Sequence, residues 1–575
     1  MASKVLRSDK PLPEFPRNLA VMLNANASRF SERPLYQEVR HGAYQPLSWR
    51  RFQQDVARIQ DALITHGLKP GDRVAILSPN RQEMLELELS VMSVGAVAVP
   101  IFSGYSAQWA QMLVEFCGPR FVAVADSEQF RKLHSPTEFE LVIHFDPLDE
   151  EGHRNALSLD RLVSESTTNE KNAGEDVPSD STCLMMYTSG TMGKPKCVQL
   201  THANILSQQA AMQAVWQLDH TDRFLSYLPW HHSFGGIYEK FAAIYNGAML
   251  ALEGGYGKDI ELLLENWRRV KPTVFFSVPR IYQQIATRVM QNPAVGEVIF
   301  HDELRFIFTA AAALPKPISD MFEHRGITIY EGWGLTETSP CCTVTDPTIP
   351  REPGVVGKPI PGVSLKLADD GEILVQGPNV MKGYYHDQEA TARVLSRDGW
   401  FATGDVGAFT DAGLRLICRK DRIFKLSNAE KVVPTELEKL IVEDCAFLSH
   451  AYVTGNGRDY PVVLLFPNKA MFNRIHDESR LKSGCGCPPG IKDLARCLTH
   501  CLAKLNETID PKYTRLQAAM LIDYELSIES GELTPSMKLA PNVVGRVFKA
   551  KIERLYSEAR DHESQDVYIL DLKPK

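Results

Sequence analysis

From Arg73 to Val124 short β-branched runs alternate with helical periods. RVAILSPN, LELELSVMSVGAVAVPIF and PRFVAVADSE carry this rhythm, which predicts βαβ units in a mostly parallel sheet. It returns in FLSYLPW, AMLALEGG, PTVFFSVP, LRFIFTAAA and ITIYEGWG, brief apolar strands ending in Gly, Pro or small residues, with a helical stretch from Asp259 to Val270 among them. Ligands of open α/β sheets bind beyond the carboxyl ends of the strands, so chemistry is expected there. After Asp421 the elements shorten. A polar Gly/Pro/Cys-rich segment runs from Ser479 to Gly490, and an amphipathic tail helix is expected from Val543 to Tyr556. The pattern predicts an α/β fold with a large multi-layer domain over residues 1–420. A smaller α+β domain over residues 421–575 follows a hinge near Asp421. Ser164 to Ser181 reads as a solvated loop between parts of the large domain.

Composition narrows the class. The 575 residues are 44% hydrophobic, 23% charged and 9% aromatic, which fits globular cores and excludes a disordered or fibrous chain. With 63 basic against 71 acidic residues the net charge is -8, which argues against nucleic acid as a general partner. Any anion site must be local. The 11 cysteines and the polar start MASKVLRSDKPLPEFP suit a reducing cytoplasm rather than a disulfide scaffold. The longest apolar stretch, Leu89 to Phe102, contains Ser, Gly and Pro and is shorter than the ~18 residues of a membrane span. No transmembrane segment is expected; peripheral membrane contact stays open.

The strongest local signal is Tyr187-Thr-Ser-Gly-Thr-Met-Gly-Lys-Pro-Lys196, directly after the apolar run CLMMY. Glycines and hydroxyls let backbone N–H groups wrap an anion, and Lys194 and Lys196 supply charge, so the loop reads as a phosphate cradle. A P-loop kinase or NTPase is disfavoured. Only two residues separate Gly190 from Gly193, and Pro195 follows Lys194 where Ser or Thr is required.

YTSGTMGKPK resembles the signature of the adenylate-forming superfamily, which includes acyl-CoA synthetases, peptide-synthetase adenylation domains and firefly-type luciferases. The resemblance runs in order from about Arg73 to Tyr556. It implies a large N-terminal adenylate-forming domain with a mobile C-terminal lid. Thr188, Ser189, Gly190, Thr191, Gly193, Lys194 and Lys196 would bind ATP or AMP, with Thr191 also in a catalytic and Mg²⁺-binding role. LPWHHSFG is similar to the stretch beside the family's carboxylate pocket. There His232 falls on a positioning and gating histidine, carried in the catalytic set, and Phe234 lines the acyl pocket with Ala311 and Ala312. YEGWGLTE resembles GYGLTE, which implies Trp333 and Gly334 against adenine, Thr336 on phosphate and Glu337 holding Mg²⁺. Thr309-Ala-Ala-Ala-Ala-Leu-Pro315 stands where the family has SGGAPLP, so alanines replace both glycines.

The segment Asp398 to Glu438 is similar to the fatty-acyl-CoA synthetase signature. It implies Asp405 on the ribose hydroxyls, Arg419 on ribose and phosphate, and Asp421 at the hinge. SGELTPSMKL resembles the tail of long-chain acyl-CoA synthetases, and Lys538 matches their catalytic lysine, whose mobile ammonium can bridge carboxylate and α-phosphate. VPRIY, from Val278 to Tyr282, is similar to a stretch of the same enzymes.

These motifs imply an ATP- and Mg²⁺-dependent ligase of a medium- or long-chain fatty acid. It would form acyl-AMP and pyrophosphate, then acyl-CoA and AMP. Cys418 stands where these enzymes carry Gly or Asp, and Asn428-Ala429 replaces a Gly-containing pair in the hairpin that faces coenzyme A. A fatty acyl-AMP ligase loading a carrier protein is therefore a live alternative. A non-catalytic nucleotide- or acyl-binding homologue is another. Cys485, Cys487, Cys497 and Cys501, with His500, lie outside the resemblance. Their C-x-C-x9-C-x3-C spacing is no standard zinc motif, so free or redox-variable thiols are the expected reading, with Zn²⁺ the alternative.

Overall fold

The computed structural model describes residues 4–149, 155–166, 174–188, 196–310, 314–352, 354–445, 447–469, 490–527, 530–533, 539–557, 563–564 and 567–572. Its chain contacts separate two units. The first holds residues 1–188, 195–403 and 407–416; the second holds 189–194, 404–406 and 417–575.

In the first unit an eight-stranded sheet is built on Arg73–Leu77, with Val97–Ile101 and Phe121–Val124 parallel on its two sides. Leu141–His144 and Ala156–Ser158 extend one edge in parallel. Thr182–Thr188, Lys196–Thr201 and Gly383–Tyr384 extend the other, the last two antiparallel. The strands are apolar on both faces because both are covered. Val74, Ile76, Phe121 and Ala123 enter one core, and Ala75, Leu77, Val122 and Val124 enter another beneath the helix Ala107–Cys117.

A nine-stranded sheet carries the second βα series, with Met249–Leu252, Arg223–Ser226, Val274–Ser277, Phe306–Thr309 and Thr328–Gly334 running parallel. Tyr282, from the VPRIY stretch, is buried, and its Oη lies 2.9 Å from the carbonyl oxygens of both Phe275 and Phe308. That ties two neighbouring strands together. The helix predicted from Asp259 forms as Ile260–Val270, with Asp259 accepting from the N–H groups of Glu261 and Leu262. A five-stranded sheet of Val5–Arg7, Ser364–Leu367, Glu372–Gln376, Phe401–Thr410 and Gly413–Arg419 completes the strand inventory before the second unit's sheets.

The second unit is a mixed five-stranded sheet with Val462–Pro467 parallel to Ala518–Ile522 at its centre. Alternation sorts its two faces. Val463, Leu465, Ala519 and Leu521 pack with Leu494, Leu498 and Leu502 of the helix Ile491–Thr508, whereas Leu464, Phe466, Met520 and Ile522 pack with Val544, Phe548 and Leu555.

Two local expectations need correction. The tail helix is two helices, Pro541–Val547 and Lys549–Tyr556, because the chain breaks at Phe548, whose ring is buried against Phe466 and Tyr524. The described end of the Ser164–Ser181 segment is anchored rather than merely solvated. Buried Asn18 donates to the carbonyls of Gly174, Glu175 and Val177 at 2.8–3.0 Å.

Ala429 closes the turn of the hairpin Phe424–Lys425/Lys431–Val432 with φ +65°, where its N–H donates to Leu426 O at 3.0 Å. An L side chain in this left-handed region costs about 1 kcal/mol or more. Ala429→Gly is therefore expected to stabilise the second unit by about 0.5–1 kcal/mol after the entropy of glycine is subtracted. Chemical denaturation of the full chain reads this as a higher midpoint; an unchanged or lower one contradicts the strain.

Candidate active site

The first cluster gathers at the carboxyl ends of the nine-stranded sheet. After the strand Arg223–Ser226 the chain turns through LPWHHSFGG into the π-helical turn Phe234–Glu239. Buried Asn80 pins this loop, donating to Leu228 O at 2.8 Å and accepting from Trp230 N at 2.9 Å. A Cβ on Gly236 would lie 1.9 Å from Trp230 O, so only glycine lets the turn fold back on its own loop.

His232 is exposed, and its Nδ1 accepts from Phe234 N at 3.3 Å. Phe234 is buried against Phe308, with ring centroids 5.7 Å apart, so it belongs to the packed aromatic wall behind the loop. His231 stacks on Phe102 at 4.5 Å, and burial, followed by the neighbouring His232, lowers its pKa to about 3.

The second strand of the cluster, Thr328–Gly334, brings Trp333 and the Thr336–Thr338 turn alongside. A Cβ on Gly334 would meet Pro340 O at 1.6 Å, which explains the glycine after Trp333. Trp333 itself is 7% exposed and sits in the apolar core. Ser233, 4% exposed, lies 3.1 Å from the Thr336 hydroxyl, joining the histidine loop to the acidic turn. Tyr384 Oη donates to Glu337 Oε1 at 2.8 Å, and Lys196 Nζ stands 4.7 Å from the centroid of the same tyrosine ring. Lys196, Tyr384 and Glu337 thus form one continuous polar line.

Thr188 ends the strand that leads into the phosphate-loop sequence. Ser189, Gly190, Thr191, Gly193 and Lys194 lie outside the described residues, as do Ala311 and Ala312. Directly after the alanine stretch, Leu314 N donates to Glu331 Oε1 at 2.9 Å.

The second cluster lies in the second unit. Arg419 Nη1 donates to Asp405 Oδ1 at 3.1 Å, and its Nε is 3.7 Å from Asp421 Oδ1. The guanidinium crosses close over Gly404, where φ is +72° and an added Cβ would lie 2.9 Å from Arg419 Nη2. Glycine is needed at 404 on both counts. Cys418 beside it is pushed up to about 11 by burial and by the carboxylates of Glu436, Asp405 and Asp421, so its sulfur is a neutral thiol at neutral pH. Arg422 pairs with Glu438, which also accepts from Val453 N at 2.8 Å. This anchors the PTELE helix to the strand Leu448–Thr454. Lys538, Cys485 and Cys487 lie outside the described residues. Cys497 and Cys501 face each other on one helix with sulfurs 4.0 Å apart.

Among the described residues no group of three or more His, Cys, Asp or Glu is placed to hold a metal ion. Glu337 still fits Mg²⁺ in chemistry. Its half-exposed carboxylate, with the Thr336 hydroxyl beside it in sequence, is the kind of sparse hard-oxygen donor that Mg²⁺ combines with water and substrate phosphates. Sequence reasoning missed Ser233, Asn80 and Tyr384. Asn80 carries no motif, and Tyr384 gains its position only from strand pairing 47 residues from Glu337.

Two histidines with lowered pKa make acid stability testable. His202 is 1% exposed, accepts from Leu19 N at 3.3 Å, and is lowered by burial to about 4; His231 is lowered to about 3. The unfolded chain takes up these protons near pH 6.5 and the fold does not, so stability is full above that pH and falls as pH drops toward 4. His202→Gln is expected to flatten the decline of the denaturation midpoint between pH 6.5 and 4.5; an unchanged slope contradicts it.

The family model described as AMP-binding enzyme matches residues 23–385, and that described as AMP-binding enzyme C-terminal domain matches residues 421–560. The chain is 26% identical to the Rattus norvegicus long-chain-fatty-acid–CoA ligase 6, covering 89% of this chain and 83% of that one. It is also 26% identical to the long-chain-fatty-acid–CoA ligase FadD15 of Mycobacterium tuberculosis, over 94% and 97%. The o-succinylbenzoate CoA synthetase of Bacillus subtilis bound to its acyl-adenylate shares the fold with a TM-score of 0.71 at 21% identity, over 92% of this chain and 98% of that one. The anthranilate CoA ligase AuaEII bound to anthranoyl-AMP does so with a TM-score of 0.73 at 20% identity, over 95% and 99%. Among the described residues no helix is long and apolar enough to cross a membrane.

Proposed function

Because this chain belongs to the AMP-binding enzyme family, we propose that it is an AMP-forming carboxylic acid:CoA ligase acting on a medium- or long-chain fatty acid. The likeness to long-chain-fatty-acid–CoA ligases over about nine-tenths of the chain supports the acid and the thiol acceptor. The single observation that carries the chemistry is the Lys196–Tyr384–Glu337 line at the strand ends, a cation and a carboxylate held apart beside the nucleotide-loop sequence.

In this reading Lys196, with the loop from Thr188 to Lys194, binds the phosphates of ATP, and Thr336, steadied by Ser233, contacts phosphate. Asp405 accepts from the ribose hydroxyls, and Arg419, already aligned on Asp405, faces ribose and phosphate. Trp333 and Gly334 border the adenine, Trp333 with the small part of its ring left open. His232, exposed at the loop crest, gates the acid's approach, while Phe234, Ala311 and Ala312 border the acyl group. Glu337, with Thr191, would hold Mg²⁺, whose charge offsets that of the triphosphate.

A carboxylate oxygen of the acid attacks the α-phosphorus, the bond to pyrophosphate breaks, and acyl-AMP forms with Lys538 between the two anions. Attack by the CoA thiol on the acyl carbon then breaks the anhydride, giving acyl-CoA and AMP. Lys538 must leave before the thiol enters, and Asp421 is the pivot assigned to that exchange. The domains are accordingly residues 1–420 and a mobile lid over 421–575. A cytoplasmic enzyme touching membranes only peripherally is consistent with its amphiphilic substrate.

Incubation with ATP, Mg²⁺, CoA and a fatty-acid panel, with products separated by chromatography, tests the acceptor. Acyl-CoA with matching AMP is expected. Acyl-AMP that accumulates without acyl-CoA would instead favour loading of a carrier protein, the reading that the Asn428-Ala429 turn keeps in play.

A further inference from the structure

Tyr384 touches both ends of the Lys196–Glu337 line but takes no part in the bond-making steps above, and its backbone is clamped more tightly than its short strand requires. Gly383–Tyr384 pairs antiparallel with Lys196–Thr201, placing Tyr384 opposite Val198. On either side, Lys382 N donates to Gln199 O at 3.0 Å and Tyr385 N donates to Cys197 O at 2.8 Å. Tyr384 N donates to Thr391 Oγ1 at 2.9 Å, and Met381 N donates to the backbone carbonyl of Glu337 itself at 2.8 Å. The segment is thereby fixed both to the strand that carries Lys196 and to the turn that carries Glu337. The tyrosine is 5% exposed.

From this fixed position the side chain serves two masters. Its hydroxyl donates to Glu337 Oε1 at 2.8 Å, which sets the rotation of the carboxylate and leaves Oε2 to meet a cation. Its ring stands 4.7 Å from Lys196 Nζ, an attraction between ammonium and π-face that holds the lysine without consuming its charge. A lysine at the start of one strand and a glutamate in the turn Thr336–Thr338 that share one tyrosine would without it be open to pairing with each other, and each would then be lost to the nucleotide. We propose that Tyr384 is the positioning residue that keeps Glu337 oriented for the divalent ion and Lys196 free for phosphate. The inference rests on the roles assigned above to Glu337 and Lys196.

The two halves of the device separate by substitution. Tyr384→Phe keeps the ring and removes the hydroxyl; Tyr384→Leu removes both. Binding of α,β-methylene-ATP, followed by calorimetry without acid or CoA, involves no turnover and can be measured across Mg²⁺ concentrations. Partners that orient a metal-binding group are worth roughly 10- to 100-fold in metal affinity. Tyr384→Phe should need about tenfold more Mg²⁺ for half-maximal nucleotide binding, with affinity at saturating Mg²⁺ within about twofold of the parent. Tyr384→Leu should lose affinity at saturating Mg²⁺ as well, by roughly three- to tenfold.

Glu337→Gln is the reference. If it raises the Mg²⁺ requirement and Tyr384→Phe does not, the inference fails while the assignment of Glu337 stands. If Glu337→Gln leaves the requirement unchanged, the assignment fails and takes the inference with it. An unfolding midpoint of Tyr384→Phe close to the parent's would exclude misfolding as the cause of a positive result.

Discussion

Lys538→Ala is expected to slow acyl-AMP formation by about 10²- to 10³-fold, the loss that follows removal of one charge-stabilising group from a reacting centre. Two anions meet when the acid's carboxylate approaches the α-phosphate, and an ammonium between them both offsets the repulsion and holds the line of attack. The same variant supplied with chemically prepared acyl-AMP and CoA should still form acyl-CoA at a rate near the parent's. Lys538 has left before that step: the thiol gives up its proton and attacks the acyl carbon, and the bond to AMP breaks so that AMP departs as a phosphate monoester carrying one more negative charge. Stopped-flow measurement of the two half-reactions in parallel checks this. Equal losses in both would show that Lys538 is structural or that the chemistry is not divided as described.

The second large effect concerns stability. Glu88 and Lys240 are both 0% exposed and their charged groups are 2.5 Å apart, with Lys240 Nζ 5.4 Å from the Trp230 ring centroid and 5.0 Å from that of Phe241. Burial pushes the glutamate's pKa up and the lysine's down, and the partner's charge opposes each shift. Glu88→Gln leaves the ammonium buried without its counter-charge, and the expected loss is about 3–5 kcal/mol of stability. Adding Lys240→Met should recover most of it, because an apolar pair of similar volume has no charge to desolvate. Lys240 directly follows the turn Phe234–Glu239, so the single variant should also loosen the histidine loop. Denaturant titration of the two variants reads the outcome. A loss under about 1 kcal/mol in Glu88→Gln would contradict a charged, tightly coupled pair.

Much of this architecture was legible in the chain because the physics is local. FVAV is apolar at every position and RVAIL at every position after Arg73, and both faces of their sheet are indeed covered. Asp259 announces its helix through its own side chain. The break at Phe548 was not legible: the helical period continues through it, and only the rings of Phe466 and Tyr524 across the sheet draw the residue inward. Among site residues, Asp405 and Arg419 could be singled out because one short stretch of sequence contains both, and the structure brings them into hydrogen-bond contact. Tyr384 could not, because its value depends on pairing with the strand of Lys196 and on a hydrogen bond to a turn far away in sequence. Trp333 shows the opposite case, a residue whose motif points to a ligand although its ring is mostly spent on the core.

In the proposed reaction this chain activates a carboxylic acid through its adenylate. Exchange of labelled pyrophosphate into ATP, with Mg²⁺ and a fatty acid but without CoA, tests that step alone. Exchange that requires the acid and is lost in Lys538→Ala is the expected result. Absence of exchange with every acid, or release of ADP and phosphate in place of AMP and pyrophosphate, would contradict it.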